Sequence, residues 1–279
     1  MSVSFMMLFW HQPNGIIVAR SGRPRRNAPP LKHVQYARVM SVCIAAVCQD
    51  QDEPRIALCV DTRIDRGYQG VADNALKLRP LGHGMMGMLA SDDFTAGQEL
   101  LLQVRAMLLA SDAPSTKTGL KAVVEAGILE FVASPFYTKR HCHELIIAGF
   151  VDGDPLILYV NMEKGKWTVA LESEFKAAGS GMHVANIFLT QRQCGSQKQV
   201  GETLYSIFEA KRHSEVVSGV GPGILLAFIA PHPLTNPYAL EICVGVIGEA
   251  GLAFFESLRS RLSLQAVPKI PELPDDFYA

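Results

Sequence analysis

Val60-Asp61-Thr62-Arg63 and Asp73-Asn74-Ala75-Leu76-Lys77 are the two stretches on which the fold turns. Asp61 closes the apolar run Arg55 to Val60, and Lys77, 16 residues further on, lies in a second run, Ala75 to Leu81. A carboxylate and an ammonium at the edges of apolar strands form either a surface ion pair or part of a site. Upstream, Ser41 to Cys48 and Arg55 to Val60 are short β-rich runs separated by Gln49 to Pro54, which is a hairpin signature. Downstream, Ala75 to Leu81 and Gly84 to Ala90 flank Gly82 and His83 and read as a second antiparallel pair.

Further out, the periodicity changes to helical. Asp92 or Asp93 can cap a helix running to about Ala110, and Ser115 or Thr116 can cap another from Lys117 to about Ala133. Strands resume at Glu144 to Phe150, Leu156 to Asn161 and Lys166 to Leu171. Met182 to Gln191 and Gln197 to Lys211 form a second helical pair, followed by strands Ile224 to Ala230 and Ala239 to Ile247 and a helix, Leu252 to Leu264. Strands in hairpin-linked groups, divided by helix pairs, do not suit a parallel sheet. They suit an α+β fold, a four-layer αββα sandwich of two antiparallel sheets.

Charge separates this domain, Ser41 to Ala266, from what precedes it. Residues 1–40 carry six Arg and Lys and no Asp or Glu, leaving 20 basic against 27 acidic residues afterwards, a net of −7. This leader has no periodicity that would bury a face, so it is expected to stand outside the fold. A secretory signal is disfavoured, because Phe5 to Trp10 precedes the arginines instead of following them. A cleaved propeptide, an organelle transit sequence and an upstream region before a start at Met40 remain as readings. Val267 to Ala279 is a Pro-rich tail.

Six cysteines lie scattered without a CxxC pair, which argues for reduced thiols in the cytoplasm over a zinc ribbon or disulfide framework. His141 and His143 flank Cys142, but strand alternation sends neighbours to opposite faces, so no metal site is expected. Apolar runs such as Ile224 to Ala230 stop well short of the roughly 20 residues a membrane helix needs. Neither a membrane nor nucleic acid is expected as a partner.

From Ser41 to about Ile247 the sequence resembles the proteasome beta-subunit family, in the style of its bacterial types HslV and Anbu. The Asp61 and Lys77 stretches look like that family's A-D-x-R and N-x-K-K segments at the same separation. Leu145 to Phe150 with Asp152 looks like its L-x-x-A-G-x-D strand and turn, and Ala178 to Gly181 looks like its G-S-G turn. The resemblance implies an N-terminal nucleophile (Ntn) hydrolase, in which the first residue of the mature chain, usually threonine, attacks the substrate. The matching position is Ser41, and the base is then its own α-amino group. Serine lacks the β-methyl that stiffens χ1 in threonine, so its hydroxyl is less preorganised. Self-cleaving precursors of this family place glycine before the nucleophile; here Val39 and Met40 precede it, and removal of an initiator Met40 would expose the amine directly.

The resemblance also implies that Lys77 favours the neutral amine and the developing alkoxide while Asp61 holds the ammonium. Ser180 matches a site-lining serine. Glu215 to Ser218 resembles the family's D-x-x-S with glutamate for aspartate, the alternative being that both are helix-end caps. The oxyanion donor falls at the backbone N–H of Ser91, where the family has glycine. The implied activity is hydrolysis of peptide bonds in a peptide or unfolded protein through a Ser41 ester, with no metal and no organic cofactor. Assembly into a ring or stack is implied too, with a regulatory ATPase as a further partner the resemblance leaves open. A non-catalytic shell subunit and an amidase acting on small molecules are the competing readings.

Overall fold

The computed structural model describes residues 41–65, 71–72, 76–231 and 244–262. The chain divides into two units between Tyr36 and Ala37, and only the second contains described residues. The leader with Met40, the motif residues Asp73 to Ala75, Cys243 and the tail Val267 to Ala279 lie outside the described residues.

The hairpin around Gln51 and Asp52 joins β1 (Cys43–Asp50) to β2 (Glu53–Asp61). These two strands lie inside an antiparallel sheet completed by β10 (Phe175–Ala178), β11 (Ile224–Ile229) and β12 (Val244–Val246), in the order β10-β1-β2-β11-β12. A second antiparallel sheet runs β5-β6-β7-β8-β9, from β5 (Leu78–Gly82), β6 (Met85–Ser91), β7 (His143–Val151), β8 (Asp154–Glu163) and β9 (Lys166–Glu172). The short β3 (Ile64–Asp65) and β4 (Val71–Ala72) pair with each other.

The side-chain period of two builds the layers. On β1, Cys43, Ala45 and Val47 point between the sheets toward Met88, Ile146 and Ile157, whereas Ile44, Ala46 and Cys48 point outward. That outer face is covered by α3 (Met182–Gln191), α4 (Val200–Ser214) and α5 (Glu249–Arg261), through Leu189, Leu204, Phe208 and Phe255. The second sheet repeats the scheme: Ile146 and Ala148 face inward, while Leu145 and Ile147 meet α1 (Phe94–Ala110) and α2 (Lys117–Ala133). The central strands β1, β2, β6, β7 and β8 are thus buried on both faces, which is why their middles are continuously apolar, whereas the edge strand β9 is largely exposed. The expected sandwich of two antiparallel sheets is the architecture found.

Local signals fix the starts of α1 and α2. Asp93 Oδ1 accepts the Ala96 N–H at 3.1 Å and Thr116 Oγ1 accepts that of Gly119 at 3.0 Å, each cap contributing about 1 kcal/mol. β10 carries no strand pattern of its own; its Phe-Lys-Ala-Ala becomes a strand by pairing with β1, from Cys43 opposite Ala178 to Ala46 opposite Phe175. Of Ala239 to Ile247, the described part forms strand only at Val244–Val246. Among the described residues no helix is long and apolar enough to cross a membrane.

Candidate active site

Three elements converge at one end of the sandwich. Ser41 lies two residues ahead of β1, Asp61 ends β2, and the Asp61 N–H donates to Val42 O at 3.1 Å. Lys77 stands just before β5 of the other sheet, where its carbonyl accepts the Leu89 N–H at 3.0 Å. The sheets therefore bring together a hydroxyl, a carboxylate and an ammonium that are far apart in the chain. Ser41 Oγ donates to Asp61 Oδ1 at 2.7 Å, Lys77 Nζ donates to Ser41 Oγ at 3.0 Å, and Lys77 Nζ meets Asp61 Oδ1 at 2.5 Å. The Gly221 N–H, in the turn between α4 and β11, donates to the other carboxylate oxygen at 3.1 Å.

All three side chains are buried: relative exposure is 1% for Ser41, 0% for Asp61 and 2% for Lys77. A surface ion pair is thereby excluded. Burying a lone carboxylate or ammonium is costly, and the cost is offset because each charge faces the other, with Ser41 bonded to both and the Gly221 N–H to Asp61. With its proton directed at Asp61 and a lone pair facing Lys77, the Ser41 oxygen is polarised from both sides.

A turn following β10 grips the backbone of Ser41. The Gly181 N–H donates to Ser41 O at 3.1 Å, Ser180 Oγ donates to the same oxygen at 3.3 Å, and Ser41 N lies 3.4 Å from Ser180 Oγ. Gly179 has φ +89°, and a Cβ there would stand 2.4 Å from Ser41 O, so both backbone conformation and space demand glycine. Ser214, the last residue of α4, places its buried hydroxyl 3.2 Å from Gly181 O. Glu144 on β7 accepts the Gly179 N–H. Burial pushes its carboxyl above the usual carboxylate range.

Cys43 sits below the hydroxyl, its sulfur 4.0 Å from Ser41 Oγ and donating to Leu89 O at 3.4 Å. Burial drives its thiol far above the ordinary range, which favours the protonated, unreactive form.

The remaining sequence-predicted residues fall into two groups. Ser180 is at the site, and Ser91 ends β6 with its hydroxyl 2.7 Å from His143 Nδ1 and donating to Asp93 O at 2.6 Å. Glu215 and Ser218 are not brought to Ser41. Glu215 accepts from Lys211 at 2.5 Å and Arg212 at 2.8 Å, and Ser218 is exposed on the following turn. In the D-x-x-S reading the serine that meets the site turn is Ser214, four positions earlier than Ser218. Gly221 and Glu144 also went unrecognised in the sequence; their available signals were the Gly-Val-Gly-Pro-Gly run 219–223 and an acid heading the apolar β7. His141 contacts Asp92 and Asp93, whereas buried His143 faces Ser91 and Phe131; among the described residues no group of His, Cys, Asp and Glu is arranged to hold a metal ion.

No family model matches the sequence, and no curated protein matches it. Among solved structures, a Gly-1 mutant of Anbu from Hyphomicrobium sp. strain MC1 is similar over 84% of this chain and 99% of that chain, with a TM-score of 0.51 and 16% identity. The likeness establishes the fold that this chain shares with Anbu: two antiparallel sheets between helical layers.

Proposed function

We propose that the chain is a proteasome-like peptidase that cleaves peptide bonds through Ser41 as an N-terminal nucleophile. The observation that carries this reading is the Ser41 hydroxyl held between Asp61 at 2.7 Å and Lys77 at 3.0 Å in a buried pocket of charge. With Ser41 at the chain start, its α-amine, of ordinary pKa about 7.7 to 8.0, removes the hydroxyl proton as the oxygen attacks the carbonyl carbon. Lys77 stabilises the developing alkoxide and disfavours a second positive charge on the amine. The tetrahedral intermediate collapses to a Ser41 ester while the α-ammonium returns its proton to the departing amine. Water, deprotonated by the same amine, then releases the acid and restores the enzyme.

The backbone N–H of Ser91 is the proposed oxyanion donor. Leu89 N donates toward Lys77, and strand alternation directs the N–H two residues later to the same edge of β6. Ser180 orients the Ser41 amine. Glu215 is assigned a supporting place, through Lys211, which also donates to the carbonyl of Gly221, the residue whose N–H meets Asp61. Self-association into a ring or stack belongs to the same reading, and the substrate is a peptide or unfolded protein, with a regulatory ATPase as a further partner. The free thiols of Cys43, Cys48, Cys59, Cys142 and Cys194 fit a cytoplasmic setting.

Replacement of the nucleophile is the direct test. Ser41→Ala is expected to abolish turnover of fluorogenic peptides and labelling by electrophiles that trap an adjacent hydroxyl and amine, while Ser41→Thr retains or raises turnover. Light scattering should show both variants, like the parent, to be larger than one chain. Normal peptidase activity in an assembled Ser41→Ala protein, free of contaminating protease, would overturn the proposal.

A further inference from the structure

We infer that Glu144 is a positioning residue for Ser41: its carboxylate anchors the Gly179 N–H and thereby fixes the turn that holds the Ser41 nitrogen and carbonyl. The inference rests on Ser41 being the nucleophile, because it is the Ser41 amine whose placement the turn controls.

Glu144 opens the otherwise apolar stretch Leu145 to Ala148 and crosses to the other sheet, where its Oε2 accepts from Gly179. Gly179, Ser180 and Gly181 are consecutive, and two of them contact Ser41 directly, at 3.1 Å from Gly181 N and 3.3 and 3.4 Å from Ser180 Oγ. The turn is thus held at Gly179 by Glu144, while at Gly181 the Ser214 hydroxyl lies 3.2 Å from the carbonyl but closer, at 2.8 Å, to Ala210 O of its own helix. Simple packing would be met by an apolar side chain, at no cost in desolvation. A carboxylate there instead supplies a charge-assisted bond to one defined N–H.

The groups facing Glu144 leave that bond dominant. Tyr159 on β8 hydrogen-bonds to it as a neutral hydroxyl, and the charge of Lys176 on β10 is drawn to Glu172 at 2.7 Å and to the Tyr159 ring at 3.9 Å. Glu163 is a more remote anion that disfavours ionisation of Glu144, in the same sense as burial. Protonation therefore occurs at less acidic pH than for an ordinary glutamate and weakens the grip on Gly179. Through Ser180, loss of that grip displaces the Ser41 amine from its hydroxyl.

Glu144→Gln and Glu144→Leu in the full chain separate this role from packing. Hydrogen exchange across Gly179 to Gly181, which needs no turnover, should accelerate about tenfold in Glu144→Leu and little in Glu144→Gln, whose amide oxygen still accepts the N–H. Peptidase kcat should fall about tenfold to a hundredfold in Glu144→Leu with KM nearly unchanged, as expected for a misplaced reacting group. In acid, the kcat/KM of the parent should steepen as both the amine and Glu144 take up protons, whereas Glu144→Gln should retain a single limb. Parental exchange at the turn in folded Glu144→Leu would overturn the inference, whatever its activity. Unchanged kcat alongside accelerated exchange would overturn it too. If the parent hydrolyses no peptide yet the exchange responds as described, the grip of Glu144 on the Ser41 turn stands and the peptidase reading falls.

Discussion

Two ion pairs in this molecule are equally sealed from water yet differ in what they enclose. Arg192, which closes α3, reaches Glu209 on α4 through Nε at 2.8 Å and Nη2 at 2.6 Å, with side chains 3% and 4% exposed. Lys77 and Asp61 meet at 2.5 Å, with side chains 3% and 0% exposed. Burial and pairing alone do not distinguish them. The first pair joins two neighbouring helices of one layer. The second spans the two sheets and has a hydroxyl inserted between its charges, 2.7 Å from one and 3.0 Å from the other. A buried ion pair by itself is a structural device; one that encloses a serine hydroxyl is a candidate for chemistry.

The largest effect that tests this contrast is expected at Lys77. Lys77→Ala should reduce peptide turnover nearly as far as loss of Ser41 does, because the charge favouring neutral amine and alkoxide is gone. Adding Asp61→Ala should cost little more in kcat, since groups serving one step are not additive. Steady-state kinetics on variants shown to be folded and assembled decide the matter; additive losses would separate the roles of the two residues.

At the other pair the expected loss is of stability. Arg192→Ala leaves Glu209 buried without this partner and should lower unfolding free energy by about 3–5 kcal/mol, with kcat per folded molecule unchanged. The double replacement Arg192→Met with Glu209→Met should recover much of that loss, as read by denaturant unfolding. A fall in kcat in folded Arg192→Ala would break the contrast by tying the helix layer to catalysis.

A smaller effect concerns pH in the same helix layer. His213 on α4 stacks on Phe188 at 3.9 Å, and burial, reinforced by Arg259, pulls its pKa below the ordinary imidazole value. The unfolded chain therefore binds a proton at about pH 6.5 that the folded chain still refuses. Stability from this residue is fully present above that pH and is lost as pH falls toward the lower folded value. His213→Gln should flatten that part of the acid limb in thermal unfolding while leaving the Lys77 effect on turnover intact.

The fold was legible because its signals are local. Alternation or continuous apolarity within a strand, the Asp93 and Thr116 caps and the Gly82-His83 turn each act within a few residues and require no distant partner. Ser41, Asp61, Lys77 and Ser180 were legible through a spaced resemblance. Glu215 and Ser218 carried a similar spacing, but α4 ends at Ser214, so Glu215 turns to Lys211 and Arg212 and Ser218 lies exposed on the turn beyond the helix. Ser214, Gly221 and Glu144 reach the site by crossing between elements 33 to 160 positions apart in sequence. Sequence periodicity sets which face of a strand is apolar, and so it determined the two sheets and their helical layers. Which N–H ends a carboxylate's search for a partner depends on how sheets, turns and helix ends meet in space, and that was decided only by the tertiary structure.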